Sequence, residues 1–300
     1  MPPASGWTPS AAWTTRRPPT SWRPAKGVHI VVDRSFLPTN HALLIPKTAD
    51  GRVLFAVPWL GRTILGTTDT PRHDLPLEPA AFDDEIEFIL RESGKYLSKG
   101  PTRADIRSVW VGLRPLVKPP ATDAGDTKSI SREHTVLVSK TGLVSVTGGK
   151  WTTYRAMAED VLACCIAHGL MPARLAGATT TRPLVGAPVH GEHSLTEPPG
   201  LHLYGTEAPI VLALPGAARE IAPGLTEAMV RFAARFEYAR TVEDVLARRS
   251  RWLFLDARIA ISAADRVAGI LSEELGECFN ADASANAFRE LANQYLRVPQ

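Results

Sequence analysis

The sequence of 300 residues has an ordinary globular composition, with 44% hydrophobic residues, 22% charged residues and a net charge of +3. This length suits one large domain or two ordinary ones. The small positive charge is spread along the chain, which argues against nucleic acid as a partner and is compatible with a small anionic substrate. No stretch approaches the roughly 18 consecutive apolar residues that a membrane-spanning helix needs. The three cysteines lack any paired spacing, so reduced thiols are expected.

The first 25 residues are rich in Pro, Ser, Thr and Trp, and the first acidic residue of the chain is Asp33. Their proline content opposes an amphipathic helix, so residues 1–25 are predicted to be disordered or to be an aberrant N-terminus. From Lys26 onward, short β-branched and apolar runs predict strands, and Asp50-Gly51 predicts a hairpin turn. The strands are expected at 28–32, 41–46, 52–58 and 62–65.

The middle of the chain alternates between helical and strand patterns. Apolar residues at helical spacing and three acidic residues in the first turn predict a helix over 81–98. Three further strands and a second helix are expected at 108–111, 134–139, 143–147 and 152–168. A segment with several Gly, Pro and Thr residues, 179–200, is predicted to be a linker.

The remainder of the chain is predicted to be almost entirely helical. Thr226 and Thr241 are expected N-caps, and Asp244 completes a weaker form of the capping box after Thr241. The helices are expected near 207–214, 226–239, 241–249, 252–276 and 283–296. The sequence therefore predicts an α+β protein, with an α+β domain over 26–178 and a C-terminal all-α domain over 201–300.

Two arginines are candidate anion ligands. Arg114 follows a predicted strand in Gly112-Leu113-Arg114-Pro115, and Arg132 leads into another strand from Ser129-Ile130-Ser131. A guanidinium group presents a planar fork that matches a phosphate or a carboxylate. The alternative for Arg114 is a surface ion-pair arginine, and the alternative for Arg132 is a solvated residue at the edge of a strand.

A third cluster, Gly148-Gly149-Lys150-Trp151-Thr152, lies between a predicted strand and a predicted helix. The two glycines allow the backbone to approach a ligand closely, and the helix start directs free N–H groups at the same place. Such a helix start would stabilise the negative charge of a reduced flavin, and Lys150 could hold a substrate anion or alkoxide. The alternative is a Gly-Gly turn before a helix capped by Thr152. The spacing of a nucleotide-triphosphate loop and the ligand spacings of a zinc site are absent from the sequence, so no metal is expected.

Six segments in order resemble the FAD-dependent glycerol-3-phosphate dehydrogenase family. They are Lys26-Gly27-Val28-His29, Asn40-His41-Ala42-Leu43, Leu65-Gly66-Thr67-Thr68-Asp69, Gly112-Leu113-Arg114-Pro115, Ser129-Ile130-Ser131-Arg132 and Gly148-Gly149-Lys150-Trp151-Thr152. The C-terminal segment 237–249 also resembles that family's helical domain. The family's Gly-rich nucleotide-binding start has no counterpart here, so the resemblance implies an incomplete FAD-dependent oxidoreductase fold with an antiparallel substrate-domain sheet.

The resemblance implies oxidation of sn-glycerol 3-phosphate to dihydroxyacetone phosphate, with hydride transfer to FAD and electrons passed to a quinone. It implies that Arg114 and Arg132 bind the substrate phosphate, that Lys150 is the active-site lysine, and that a backbone cradle contacts the flavin. The cradle residues are Gly148, Gly149, Trp151 and Thr152. A cytoplasmic location is expected, with peripheral contact at the inner face of the cytoplasmic membrane, and a homo-oligomer stays open. Two alternatives stay open as well: a non-catalytic remnant of such an enzyme, and a related flavin-dependent oxidase.

Overall fold

A computed structural model describes residues 22–72, 74, 76–117, 134–173, 177–187 and 194–296. The strands are β1 (Trp22–Asp33), β2 (Leu43–Ile45), β3 (Leu54–Trp59), β4 (Arg62–Gly66), β5 (Thr70–Pro71), β6 (Ser108–Val117), β7 (Thr135–Val138), β8 (Val144–Thr147), β9 (Glu220–Ala222) and β10 (Leu225–Thr226). The α-helices are α1 (Asp83–Gly94), α2 (Tyr154–Ala167), α3 (Ala208–Leu212), α4 (Glu227–Phe236), α5 (Trp252–Leu255), α6 (Ala257–Leu275) and α7 (Ala281–Leu296).

The chain forms two units that interleave along the sequence. The first unit comprises Met1–Gly27, Asp69–Pro79 and Val111–Pro183, and the second comprises Val28–Thr68, Ala80–Trp110 and Leu184–Gln300. The domains predicted from the sequence, 26–178 and 201–300 with a linker over 179–200, are continuous segments, whereas each of these units combines several segments. The predicted domain boundaries stay predictions.

In the second unit, the strands pair in the order β2-β3-β4-β1, and every pairing is antiparallel. Val31 lies opposite Ile64, and Val57 lies opposite the same residue from the other side. The alternating burial of β3 and β4 matches a sheet that packs one face on a core. The antiparallel sheet expected from the sequence is therefore confirmed.

In the first unit, the start of β1 pairs with β5, and Ala25 lies opposite Pro71. Residues 22–25 are thus in a strand, where the sequence predicted disorder or an aberrant N-terminus, because their backbone has a pairing partner more than forty positions along the chain. The remaining residues of the predicted N-terminal segment, 1–21, lie outside the described residues. β7 and β8 form an antiparallel hairpin, and α2 packs beside it.

The helical part of the second unit has a continuous apolar core built mainly by α4, α6 and α7. Phe232, Leu246, Leu253 and Phe288 are among its fully buried side chains. Thr226 caps α4 as expected, since its hydroxyl accepts a hydrogen bond from the N–H of Met229 at 3.4 Å.

Three details of this part differ from the expectation. The region is not purely helical, because β9 and β10 pair as a short antiparallel ribbon. The helix expected over 241–249 is a π-helix over Asp244–Arg249. The helix expected over 252–276 is broken at Asp256, whose extended backbone ends α5. Its carboxylate caps α6 by accepting from the N–H groups of Arg258 and Ile259 at 3.2 and 3.4 Å.

An ion-pair network joins α4 to the end of α6. Glu274 accepts hydrogen bonds from Nη1 of Arg231 at 2.7 Å and from Nε of Arg235 at 2.6 Å, and its side chain is 7% exposed. The hydrogen bond from Arg235 is the main cause that lowers the pKa of Glu274 below its usual 4.5; burial opposes the shift and Arg231 reinforces it.

We expect Glu274→Gln to lower the free energy of unfolding by about 1.5–3 kcal/mol at pH 7, because charge-assisted hydrogen bonds are lost. The pKa of Glu274 in the folded state lies below its unfolded value. The stabilisation is therefore complete above the unfolded pKa and is lost as the pH falls through the lower folded pKa. Urea denaturation at several pH values measures this, with the exposed Glu277→Gln as the control. A variant whose deficit stayed constant down to the lowest pH would contradict this account.

Candidate active site

Strand β6 carries Arg114, whose side chain is 27% exposed. Its Nη1 donates a hydrogen bond to Oδ1 of Asp69 at 3.2 Å, and the Asp69 side chain is only 12% exposed. Asp69 immediately precedes β5, so the short polar loop after β4 supplies the carboxylate that holds this guanidinium group. Arg114 is therefore an oriented, partly buried arginine in an ion pair with Asp69, and the predictions of an anion ligand and of a surface ion-pair arginine both stay open.

Gly27 allows the Arg114 guanidinium group to lie against strand β1. A Cβ atom added at Gly27 would lie 2.4 Å from Nη2 and 2.7 Å from Cζ of Arg114. Real Cβ atoms do not approach other heavy atoms this closely, so any larger residue would displace the guanidinium group. The absence of a side chain at position 27 thus allows the Arg114 guanidinium group to occupy this position.

The Gly148-Gly149 pair follows β8 with both residues in the left-handed region, at φ of 75° and 76°. A Cβ atom at Gly149 would lie 2.5 Å from Sδ of Met157 and 3.1 Å from Cβ of His134. The left-handed backbone and the close packing both favour glycine here. The two glycines turn the chain from the strand directly into the start of the next helix.

That helix begins with a 3₁₀ turn over Trp151–Thr153, and α2 continues from Tyr154. A Gly-Gly turn before a helix is present, as one of the two expectations had it, but Thr152 is not the cap. Lys150 is the N-cap of the 3₁₀ turn, and its carbonyl accepts from the N–H of Thr153 at 3.0 Å. Lys150, Trp151 and Thr152 are all exposed, and the Trp151 ring stacks on Tyr154 with centroids 5.7 Å apart. The N–H groups at the very start of this turn, those of Trp151 and Thr152, are thus next to an exposed aromatic ring and an exposed ammonium group.

The structure divides the predicted site residues into two sets within the first unit. Gly148, Gly149, Lys150, Trp151 and Thr152 form one continuous turn, and Arg114 lies in a separate contact group with Asp69 and Gly27. Arg132, the second predicted phosphate ligand, lies outside the described residues.

Three polar side chains, those of Asp69, Lys26 and His134, had no role predicted from the sequence. Asp69 was recognised only as part of a polar loop, although a carboxylate at the end of such a loop is a natural arginine partner. Lys26 is fully buried in β1, and a lone lysine among strand residues was its only signal. His134 contacts Asp160 with Nε2 and Oδ2 2.7 Å apart, and its Cβ lies beside Gly149.

The described residues were also compared with the requirements of a membrane-spanning helix and of a metal site. Within the described part of the chain, no helix has both the length and the hydropathy to cross a membrane. In the same residues, no group of three or more His, Cys, Asp or Glu side chains is arranged to hold a metal ion.

Two family models match the chain. The model described as FAD dependent oxidoreductase matches residues 4–155, and the model described as the C-terminal domain of alpha-glycerophosphate oxidase matches residues 174–278. The first match covers just over half of the chain, so the chain belongs to the FAD-dependent oxidoreductase family. FAD is the cofactor of that family.

The individual relatives with similar sequences are glycerol-3-phosphate dehydrogenases. The chain is 35% identical to a mitochondrial glycerol-3-phosphate dehydrogenase of Schizosaccharomyces pombe over 91% of its own length and 49% of that protein. It is 38% identical to one from Arabidopsis thaliana over 84% of its own length and 44% of that protein. It is 37% identical to one from Homo sapiens over 84% of its own length and 37% of that protein. The resemblance to FAD-dependent glycerol-3-phosphate dehydrogenases is confirmed, and the chain spans about half the length, or less, of these relatives.

A solved structure confirms the fold. The glycerol-3-phosphate dehydrogenase from Bacillus halodurans, complexed with FAD, aligns with a TM-score of 0.74 over 98% of this chain and 62% of its own chain. The sequence identity is 24%, so this likeness establishes the fold alone. An FAD-dependent oxidoreductase fold with an antiparallel sheet followed by a helical region is therefore confirmed.

Proposed function

We propose that this chain supplies the substrate-binding and flavin-contacting part of a glycerol-3-phosphate dehydrogenase. The reaction is oxidation of sn-glycerol 3-phosphate to dihydroxyacetone phosphate, with electrons passed to a quinone. We place it in the cytoplasm, in peripheral contact with the inner face of the cytoplasmic membrane. The arrangement of Arg114, held by Asp69 against Gly27, is the observation that carries the substrate assignment, because it presents a fixed guanidinium group to an anion.

The turn from Gly148 to Thr152 fits FAD. Two left-handed glycines place backbone, rather than side chains, at the helix start, and the free N–H groups there favour a flavin edge that gains negative charge. FAD, when bound, supplies the hydride acceptor. Gly148, Gly149, Trp151 and Thr152 would hold its ring.

The chain's own side chains bind and orient the substrate in this proposal. Arg114 and Arg132 bind the phosphate group, since paired guanidinium groups suit a phosphate dianion. Lys150 holds the C2 oxygen while the hydroxyl proton passes to solvent, because an ammonium group next to a developing alkoxide lowers the free energy of that charge. Lys150 is the catalytic residue of the proposal, and Asp69 acts as a positioning residue through Arg114.

One observation favours a second function, that of a flavin-dependent oxidase. Residues 174–278 match the model of the C-terminal domain of alpha-glycerophosphate oxidase. An oxidase would pass the electrons to dioxygen and release hydrogen peroxide rather than reduce a quinone. The two arginines suit the phosphate substrate in either case, so the electron acceptor distinguishes the two functions.

The surface of α2 supports the view that the function requires further protein. None of the 14 residues of α2 is buried, and Tyr154 and Leu162 are 47% and 51% exposed. A helix with this apolar content normally packs one face against a core. The part of the relatives outside the matched region is the proposed cover.

The test is to purify the chain alone and together with the unmatched part of the Schizosaccharomyces pombe relative. We expect flavin absorbance and sn-glycerol 3-phosphate-dependent reduction of a quinone analogue with both parts present. Peroxide formation with no quinone reduction would favour the oxidase. A chain that aggregates alone and never acquires flavin with the added part would support the non-catalytic remnant.

We expect Gly149→Ala to weaken FAD binding at least about tenfold in the two-part assembly. The left-handed backbone costs roughly 1–2 kcal/mol for alanine, and Met157 and His134 crowd the added methyl group. Gly142→Ala is the control: Gly142 has φ of 83° in the same unit, but a Cβ there meets only Leu170 at 3.6 Å. Flavin fluorescence titration measures both variants, and equal losses would show that the Gly149 turn makes no specific contact with FAD.

A further inference from the structure

A pocket of about 170 Å³ lies within the helical part of the second unit. Its walls come from the segment before α3, the β9–β10 ribbon and the residues around the π-helix, all between positions 199 and 251. It shares no residue with the proposed active site. The charged side chains that line it are Glu237, Arg248, Arg249 and Arg251.

Glu237 contributes an acceptor that the protein does not satisfy. Its Oε2 is buried and has no hydrogen-bond partner among the described residues. Burial is the main cause that raises the pKa of this carboxyl group, while the positive charge of Arg249 opposes the shift. Buried polar atoms are nearly always paired, so this oxygen can accept a hydrogen bond from a molecule that enters the pocket.

The two arginines nearest to this carboxyl group keep donors available. Arg249 donates through Nη2 to the carbonyl of Glu237, and Arg251 donates through Nη1 to the carbonyl of Arg249 at 3.2 Å. Each guanidinium group has five N–H donors, and among the described residues each gives one hydrogen bond to a carbonyl, which leaves donors for an anion. Arg248 differs, because Glu243 and Asp244 already pair with it.

The backbone around these arginines is unusual in two ways. Arg248 and Arg249 end the π-helix, and Arg251 has φ of 63°, in the left-handed region that favours glycine. π-Helical turns and strained non-glycine residues both occur preferentially at functional sites. Here both features position guanidinium groups at the wall of the same pocket.

We propose that this pocket binds a small phosphate monoester that carries a hydroxyl group. Arg249 and Arg251 bind the phosphate group, and Oε2 of Glu237 accepts the hydrogen bond of the hydroxyl. A guanidinium fork matches phosphate geometry, and the pairing satisfies the buried carboxyl oxygen. This inference does not depend on the proposed dehydrogenase activity.

The test is isothermal titration of the full chain carrying Arg114→Ala, which weakens substrate binding at the proposed active site by at least about tenfold. We expect sn-glycerol 3-phosphate to bind, and methyl phosphate and inorganic phosphate to bind at least tenfold more weakly, since both lack the hydroxyl group. Glycerol, which lacks the phosphate, should not bind measurably. No binding of sn-glycerol 3-phosphate would overturn the proposal, and equal affinity for methyl phosphate would remove Glu237 from the site.

Arg251→Gly on the same background separates the ligand contact from folding. Glycine accepts φ of 63° without strain, so the melting temperature should be maintained or raised while affinity falls at least tenfold. Arg258→Gln, an exposed arginine on α6 that does not line the pocket, is the matched control and should bind as the parent does. Unchanged affinity in Arg251→Gly would assign the binding to another part of the chain.

Discussion

Lys150→Met lowers kcat for sn-glycerol 3-phosphate oxidation about 100-fold in the two-part assembly, with little change in KM. Removing a single group that stabilises a developing oxyanion typically costs 10²–10³ in kcat. The expectation follows from the position of Lys150, exposed at the helix start that follows the Gly148-Gly149 turn. Methionine keeps an unbranched side chain of similar length and removes the ammonium group with its charge and its N–H donors.

The control for this variant is Lys140→Met, because Lys140 is an exposed lysine at the turn of the β7–β8 hairpin in the same unit. Steady-state kinetics over a range of substrate concentrations separates kcat from KM. A Lys150 variant with normal kcat and raised KM would show that the ammonium group binds the ground-state anion only. Equal kinetics for both lysine variants would exclude Lys150 from catalysis.

Arg114→Ala raises KM at least about tenfold in the same assembly. A charge-assisted hydrogen bond contributes roughly 1.5–3 kcal/mol, and each 1.4 kcal/mol corresponds to a factor of ten. Gly27→Ala should reproduce most of this effect without touching Arg114, because its new Cβ would displace the guanidinium group. Initial rates against substrate concentration measure both variants.

Arg182→Ala is the control for Arg114, since Arg182 is an exposed arginine of the same unit. An Arg114 variant with the KM of the parent would place the substrate phosphate elsewhere. If Arg114→Ala raised KM and Gly27→Ala did not, the guanidinium group would bind substrate from a different position than the one it holds against β1.

These two sets of variants address different parts of the reaction. Arg114 is proposed to bind a group that does not react, so its loss should appear in substrate affinity. Lys150 is proposed to contact the reacting oxygen, so its loss should appear in turnover. A raised KM in the Arg114 variant and a lowered kcat in the Lys150 variant would support both assignments. A lowered kcat in the Arg114 variant with a raised KM in the Lys150 variant would contradict the proposed orientation of the substrate.

The sequence by itself determined the local elements and the turn chemistry. Period-two and helical patterns placed β3, β4, α1 and α2 near their observed bounds, because burial of one face dictates those periods. The Gly148-Gly149 pair indicated a turn before a helix, and the structure shows both glycines in the left-handed region that glycine enters readily. Motif order indicated the family, and the comparisons confirmed it.

Only the tertiary structure decided which distant residues meet. The hydrogen-bond partner of Arg114 is Asp69, 45 positions away, and its guanidinium group lies against Gly27. No periodicity in the sequence predicts either contact. The break at Asp256 and the π-helix over Asp244–Arg249 interrupt stretches whose residue pattern predicted continuous α-helix, and tertiary context can override intrinsic helix propensity. Local patterns report on neighbours within a turn or a strand, whereas a binding site depends on long-range contacts that form only when the chain folds.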